Sequence, residues 1–426
     1  MVIYVGNTNV TATCRLVPDE NLYTGAKSLA DSFGSLNSLE EDMLNLAAGI
    51  YGADLAIKRK EREQFIRTID FNVEIVNFHA LERVKDKLKY ALQILSKDNW
   101  RINFIPKKGN ATSSLIWGEK KGVAVLFSGG LDSMCAVSEL IRKKNEIVLV
   151  SHVTHGNREV DDSQKKVHRL IETHYRTKIE HIQVKVYGRN KGDYSFPDER
   201  EITQRTRSFL YLTLGALVAR RCGFNKVLFM AENGQFAIHL PLNHARVGPF
   251  STHTADPEFL EIAEEIFRTV LGNSSFEIVN PFLYKTKAEV VSLLPSTLRK
   301  KCDASITCWM FSRKKRHCGE CIPCISRRIA LEYNGIKFNE YYTDLFSTDI
   351  DALSDEDNGK RNIIDYLEFI SKFRNVAPAT IQDILFEFPE LINSSIDQEK
   401  ALKLYQRLAE QSFKVFSIYP QIMKVV

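Results

Sequence analysis

The chain has 426 residues, more than a typical single domain, so two or three domains are expected. Its 44% hydrophobic and 26% charged residues are ordinary for a soluble globular protein, and a net charge of +5 admits an anionic small molecule without indicating a nucleic-acid partner. No stretch approaches the ~18 apolar residues of a membrane span, and the opening Met-Val-Ile-Tyr-Val-Gly-Asn-Thr lacks the basic and apolar regions of a secretory signal, so a cytoplasmic chain with no membrane partner is expected.

Residues 1–117 read as an α+β N-terminal extension. A helix is expected over Leu39–Lys58, with Met43, Leu44, Leu46, Ala47, Ile50 and Leu55 as its apolar stripe. Phe71–Phe78 follows as a strand, Ala80–Leu95 as a helix and Trp100–Ile105 as a second strand. Pro106–Asn110, backed by Ser113 and Ser114, reads as the linker.

Residues 118–338 alternate apolar runs with amphipathic helices. Strands are expected at Val123–Phe127, Glu146–Val153, Ile179–Tyr187, Lys226–Ala231 and Phe276–Phe282. Helices are expected from Ser133 and over Asp161–His174, Ile202–Cys222 and Thr286–Leu294. That alternation implies right-handed βαβ units, an α/β fold with a doubly wound parallel sheet, and a ligand at the carboxyl ends of its strands.

Residues 339–426 read as a helical C-terminal extension. An acidic loop over Asp349–Lys360 precedes helices at Ile363–Phe373, Thr380–Phe388 and Glu399–Phe416, whose apolar faces would pack on the body or receive a partner. No internal repeat or low-complexity tract is present.

The stretch that organises the chain is Gly122–Ser133. Val123–Phe127 is a continuous apolar run, as in a strand buried on both faces, and Ser128-Gly129-Gly130 breaks it before a helix begins. A strand, a glycine turn and a helix N-terminus converge unpaired backbone N–H groups, which makes an anion site. Asp132 in that turn can hold Mg2+ against phosphate oxygens. The Gly-Lys-Ser/Thr ending of a Walker loop is absent.

Five of the eight cysteines crowd into Cys302–Cys324. Cys308, Cys318, Cys321 and Cys324 form C-x9-C-x2-C-x2-C, a spacing that suits a tetrahedral structural Zn2+ because a two-residue gap lets a tight turn aim both sulfurs inward, with an iron–sulfur cluster as the alternative. Cys302 and His317 stand outside that set, while Cys14, Cys135 and Cys222 read as core thiols. The run Arg313-Lys314-Lys315-Arg316 is either a solvated face or a phosphate contact.

Ser128, Gly129, Gly130, Leu131, Asp132 and Ser133 together resemble the Ser-Gly-Gly-x-Asp-Ser loop of the PP-loop ATP pyrophosphatases, of the HUP or adenine nucleotide α-hydrolase-like fold. Joined to the cysteine quartet, the loop resembles 7-cyano-7-deazaguanine synthase (QueC) of the queuosine pathway, over about Gly122 to Tyr333. Arg207-Ser208-Phe209-Leu210, Asp256-Pro257-Glu258-Phe259 and Thr286-Lys287-Ala288-Glu289 are similar to further motifs of that family. Ser208 replaces an asparagine, however, and Ala231-Glu232-Asn233-Gly234 and Ser251–Ala255 stand where the family carries a substrate-handling motif. The long flanks are similar to those of the QueC-like QatC proteins of Qat anti-phage systems.

The resemblance implies that a 7-deazaguanine-type carboxylate attacks the α-phosphorus of ATP, with pyrophosphate leaving into Ser128–Ser133 and Mg2+ held partly by Asp132. Lys287 and Arg207 would contact phosphate or carboxylate. Glu232 and Asn233 would either pair with a guanine-like base edge or cap a helix. A nitrogen nucleophile then forms an amide; it is ammonia in the synthase and, in the defence relatives, an amine of a partner protein from the same operon. His152, His155 and His253 are candidate general bases. A tRNA-modifying adenylase and an inactive ATP-binding scaffold are the competing readings.

Overall fold

The computed structural model describes residues 1–59, 65–112, 117–118, 120–154, 156, 158–228, 231–243, 253–338, 340–374, 376 and 380–424. In chain order the strands are β1 (Val2–Val5), β2 (Cys14–Leu16), β3 (Leu22–Tyr23), β4 (Thr68–Ile75), β5 (Asn99–Pro106), β6 (Lys120–Leu126), β7 (Glu146–Val153), β8 (Glu180–Lys185), β9 (Tyr187–Gly188), β10 (Phe224–Leu228) and β11 (Glu277–Val279). The central sheet has the order β11-β10-β6-β7-β8 and is parallel throughout, the doubly wound α/β arrangement expected. β6 lies in its middle, where Val123–Leu126 are buried on both faces, as the unbroken apolar run requires.

The N-terminal region forms a second sheet, β2-β1-β4-β5, whose pairings are also all parallel. The expected α+β module is therefore corrected to a second α/β layer. Its first two strands, four and three residues long, are too short to announce themselves by periodicity. The helix expected over Ala80–Leu95 divides into Phe78–Glu82 and Lys85–Ser96, and Pro106 of the expected linker closes β5. One apolar cluster runs from Ile3, Leu44 and Phe71 through Leu126 and Leu214 to Phe267, so the first sheet and the central sheet share a core.

A second cluster joins the C-terminal helices Asn358–Lys372, Ile381–Glu387 and Gln398–Phe416 to Ile238, Ile322, Ile325 and Ile329 of the body. Packing on the body is thus what buries those apolar faces. The acidic stretch expected as loop over Asp349–Lys360 ends inside a helix, because Asp357 accepts the Lys360 N–H at 2.9 Å and caps its start. Among the described residues no helix is long and apolar enough to cross a membrane.

Candidate active site and cysteine cluster

β6 delivers Ser128 to the carboxyl edge of the central sheet, and the helix Leu131–Arg142 starts three residues later with Gly130 as an N-cap that makes no side-chain capping bond. The turn is tied down from outside. Gly129 O accepts from Ser163 Oγ at 3.0 Å and from Ile306 N at 3.4 Å, while Ser128 Oγ accepts from Gly130 N at 3.2 Å. The first N–H groups of the helix have no intrahelical acceptors and no capping side chain from Gly130, the donor set an anion needs.

Gly129 has φ +74°, and a Cβ there would lie 2.8 Å from the backbone N of Gln164. Gly129→Ala is accordingly expected to cost about 2 kcal/mol of stability or more and to collapse the anion turn. Thermal unfolding and nucleotide titration of the variant check this; unchanged values in both would contradict it.

Asp132 is buried beneath the turn. Its Oδ1 accepts from Lys287 Nζ at 2.8 Å, and its Oδ2 accepts from Asn233 N at 3.1 Å and Asn233 Nδ2 at 2.7 Å. Burial alone would raise the Asp132 carboxyl, but Lys287 and the Asn233 donors outweigh it and hold it below the usual carboxylate range. Lys287, also buried, sits 5.5 Å from the Phe236 ring centroid at the first position of the helix Lys287–Ser292. Glu232 is the second carboxyl of this cluster. Burial first, and then the Asp132 charge, push it up to about 8. Asn233 is fully buried and gives its backbone N–H and its Nδ2 to Asp132, so the donors of the expected base-reading amide are engaged while its Oδ1 has no hydrogen-bond partner.

A cleft of about 770 Å³ opens beside the turn, lined by Ser128, Arg207, Ser208, Gln235, Trp309 and Arg313 among others. The helix expected from Ile202 begins only at Arg207 and runs to Cys222. Arg207 Nε donates to His152 Nδ1 at 3.2 Å and its Nη2 to Tyr211 Oη at 3.3 Å, while its Nη1 carries no hydrogen bond to a described residue. Ser208 Oγ, buried in the wall, also lacks a protein partner. Arg313 is the member of the basic run that lines the cleft. Lys314 and Arg316 lie over the Tyr342 ring and Lys315 pairs with Glu159.

The candidate bases separate. His152 spends Nδ1 on Arg207 and Nε2 on Val186 O at 2.8 Å, and burial, then Arg207, hold it down to about 3. With no free lone pair it is no base, which corrects that expectation. His253 lies 3.4 Å from Asp256, the cap of the helix Pro257–Leu271. His155 falls outside the described residues, as do Ser251 and Thr252.

The buried histidines fix a pH dependence. His181 is held down to about 4, chiefly by burial, so His152 and His181 stay neutral in the fold where the unfolded chain binds protons below about pH 6.5. The unfolded state then holds more protons, and stability falls as pH drops from about 6.5 toward 4. Urea midpoints at pH 7 and 5 are expected to show this loss, with a shallower slope in His181→Gln; an equal slope in the variant would contradict it.

The sulfurs of Cys308, Cys318, Cys321 and Cys324 all lie within 4.8 Å of one another, with Cys318 Sγ 3.8 Å from Cys324 Sγ. Four sulfurs at Zn–S bonds of about 2.3 Å sit about 3.8 Å apart in a tetrahedron, so the set fits Zn2+. Cys318 Sγ accepts from Glu320 N at 3.4 Å and Cys321 N at 3.3 Å, as a metal-bound thiolate would. Contact among the thiols lowers Cys318 and raises Cys321 and Cys324, because four such groups cannot all ionise without a cation between them. Cys302 and His317 remain outside the quartet.

Arg327, one turn after Cys324, carries a role that spacing did not signal. Fully buried, it has no carboxylate partner among the described residues and donates to Ser305 Oγ at 3.0 Å, Thr307 Oγ1 at 2.9 Å and Cys302 O at 2.5 Å. It thereby holds the 302–307 segment, whose Ile306 N–H and Ala304 O brace the anion turn directly and through Ser163.

Comparison with known proteins is consistent with this geometry. The family model described as "Queuosine biosynthesis protein QueC" matches residues 122–335. A 7-cyano-7-deazaguanine synthase of Sulfolobus acidocaldarius is 23% identical over 71% of this chain and 67% of its own length. The synthase of Saccharolobus solfataricus is 23% identical over 63% of this chain and 58% of its own, and that of Hahella chejuensis 24% identical over 49% and 87%.

Proposed function

The chain belongs to the QueC family, and from that membership we propose that it uses ATP to adenylate a 7-deazaguanine carboxylate. The observation that carries the reading is the uncapped helix at Leu131, with Asp132 and Lys287 paired behind it, opening on a cleft that Arg207 also lines. The α-, β- and γ-phosphates would run along Ser128–Ser133, and Lys287 beneath the turn would offset the charge that develops as pyrophosphate departs. The Nη1 of Arg207 would take the carboxylate or the α-phosphate, for which its planar fork is suited.

The carboxylate oxygen bonds to the α-phosphorus while the bond to the β-phosphate bridge breaks. A nitrogen nucleophile then forms an amide and expels AMP with the carboxylate oxygen attached. Mg2+, carried in with the nucleotide, would neutralise phosphate charge beside Asp132 and Glu232, and Zn2+ would hold the Cys308–Cys324 segment against the cleft.

The nucleophile separates two finer readings. Ammonia, with a second ATP to adenylate the amide oxygen and carry it off in a second AMP, would make the chain a synthase of the nitrile its relatives are named for. An amine of a partner protein, in an anti-phage role like that of QatC, accords with the altered Ala231–Gly234 and Ser251–Ala255 segments and with the flanks outside residues 122–335. Pyrophosphate release with 7-carboxy-7-deazaguanine, followed by mass spectrometry of products, tests both. Free nitrile or amide supports ammonia, a mass shift on a co-purifying protein supports the amine, and no release with either acceptor overturns the proposal.

A further inference from the structure

Two cations of the proposed site, Arg207 and Lys287, each stand at the first position of a helix, and each helix start is held by a residue from outside the QueC-matched region. On the N-terminal side the residues are Tyr51 and Asp54. Thr206, the cap of the Arg207 helix, makes no capping bond with its own side chain. Asp54, from 152 positions away, holds the cap residue itself, its Oδ2 accepting from Thr206 N at 3.0 Å and Thr206 Oγ1 at 3.1 Å. Arg67, bonded to the other oxygen of Asp54 at 2.5 Å, fixes its direction. Tyr51 Oη donates to Gln204 Oε1 at 3.2 Å, and its ring stands edge-on to His152, the acceptor for Arg207 Nε, at 5.2 Å. The acceptor for Arg207 Nε is thus packed against a ring of the N-terminal region.

On the C-terminal side Gln411 and Arg407, from one helix, hold the start of the Lys287 helix. Thr286 and Glu289 form its capping box. Thr286 Oγ1 donates to Gln411 Oε1 at 2.6 Å, and Arg407 Nε donates to Glu289 Oε1 at 2.6 Å. Tyr51, Asp54, Thr206, Thr286 and Gln411 are well buried, whereas Gln204, Arg407 and Glu289 are only partly so, and water replaces a lost partner least at the buried groups.

We propose that the two flanking regions are positioning elements of the site: Tyr51 and Asp54 set Arg207, and Gln411 with Arg407 sets Lys287. This rests on the reading of Arg207 and Lys287 as ligand contacts. Each positioning residue acts through a helix start and touches no ligand. Their chemistry fits alignment of cations already charged, since each flank supplies acceptors that orient an N-terminal turn.

The test uses the full chain with Tyr51→Phe and Gln411→Met, which remove one hydrogen bond each at nearly constant shape. Gln411→Glu keeps an acceptor oxygen and serves as rescue. MgATP affinity, kcat and KM for pyrophosphate release, melting temperature and amide exchange at 204–210 and 285–291 are read together. The expected result is faster exchange confined to the matching helix start and an affinity or KM change of about fivefold, with the melting temperature lowered by only about 2–4 °C and Gln411→Glu near wild type. Exchange and affinity equal to wild type, or a uniform loss of protection, would overturn the proposal. If the wild type binds no MgATP, the adenylation reading fails, and the exchange pattern alone still decides whether the flanks set these helix starts.

Discussion

Lys287→Met is expected to lower kcat/KM for pyrophosphate release by about a thousandfold, the largest effect of any single change at the site. Two losses add. The departing pyrophosphate loses a cation held in a buried setting, where charge is weakly screened. Asp132 also loses the partner that holds its carboxyl low, so burial raises it and a protonated acid replaces a carboxylate beneath the anion turn. Breaking one side of a buried pair costs about 3–5 kcal/mol, so the variant should also melt early. Asp132→Asn with Lys287→Met removes both charges and should recover much of the stability but none of the activity. Stability and activity recovering together, or neither single variant losing activity, would contradict this account.

The second large effect is expected at the cysteine quartet. Cys318→Ser should abolish binding of one Zn2+ per chain and destabilise the fold by about 5 kcal/mol or more, because metal affinity of such a site is folding free energy. Ile306, Thr307, Cys308, Trp309, Met310 and Arg313 line the cleft from the segment that the quartet anchors. Arg327 transmits the same constraint to the anion turn through Ser305, Thr307 and Cys302. Metal content by elemental analysis, with nucleotide affinity, checks this. Full zinc occupancy in the variant, or zinc-free protein with wild-type affinity, would contradict it.

The parts of the molecule legible in the sequence are those whose cause is local. A strand buried on both faces followed by small residues and a helix start could be read from Val123–Ser133 alone, and the cysteine spacing brings four sulfurs together through turns only a few residues long. The residues that escaped are governed by distant partners. The helix read from Ile202 starts at Arg207, where Thr206 N is held by Asp54 from a distant part of the chain. Asn233 looked like a ligand-facing amide beyond a strand end, and only the fold shows that Asp132, 101 positions earlier, claims its donors. His152 has the composition of a base and the surroundings of a spacer. The parallel pairing of β1 with both β2 and β4 depends on register between residues as far apart as Val2 and Asp70, which no periodicity encodes.

The central claim is that a carboxylate oxygen attacks the α-phosphorus of ATP in the cleft beside Ser128. Isotope transfer from a substrate carboxylate labelled with oxygen-18 tests it most directly, in the presence of MgATP and an ammonium salt or a co-purified partner protein. The account predicts AMP that carries one labelled oxygen, formed in step with pyrophosphate and product, and no such AMP from Lys287→Met. Product formed with unlabelled AMP, or with ADP and phosphate in place of AMP and pyrophosphate, would contradict it.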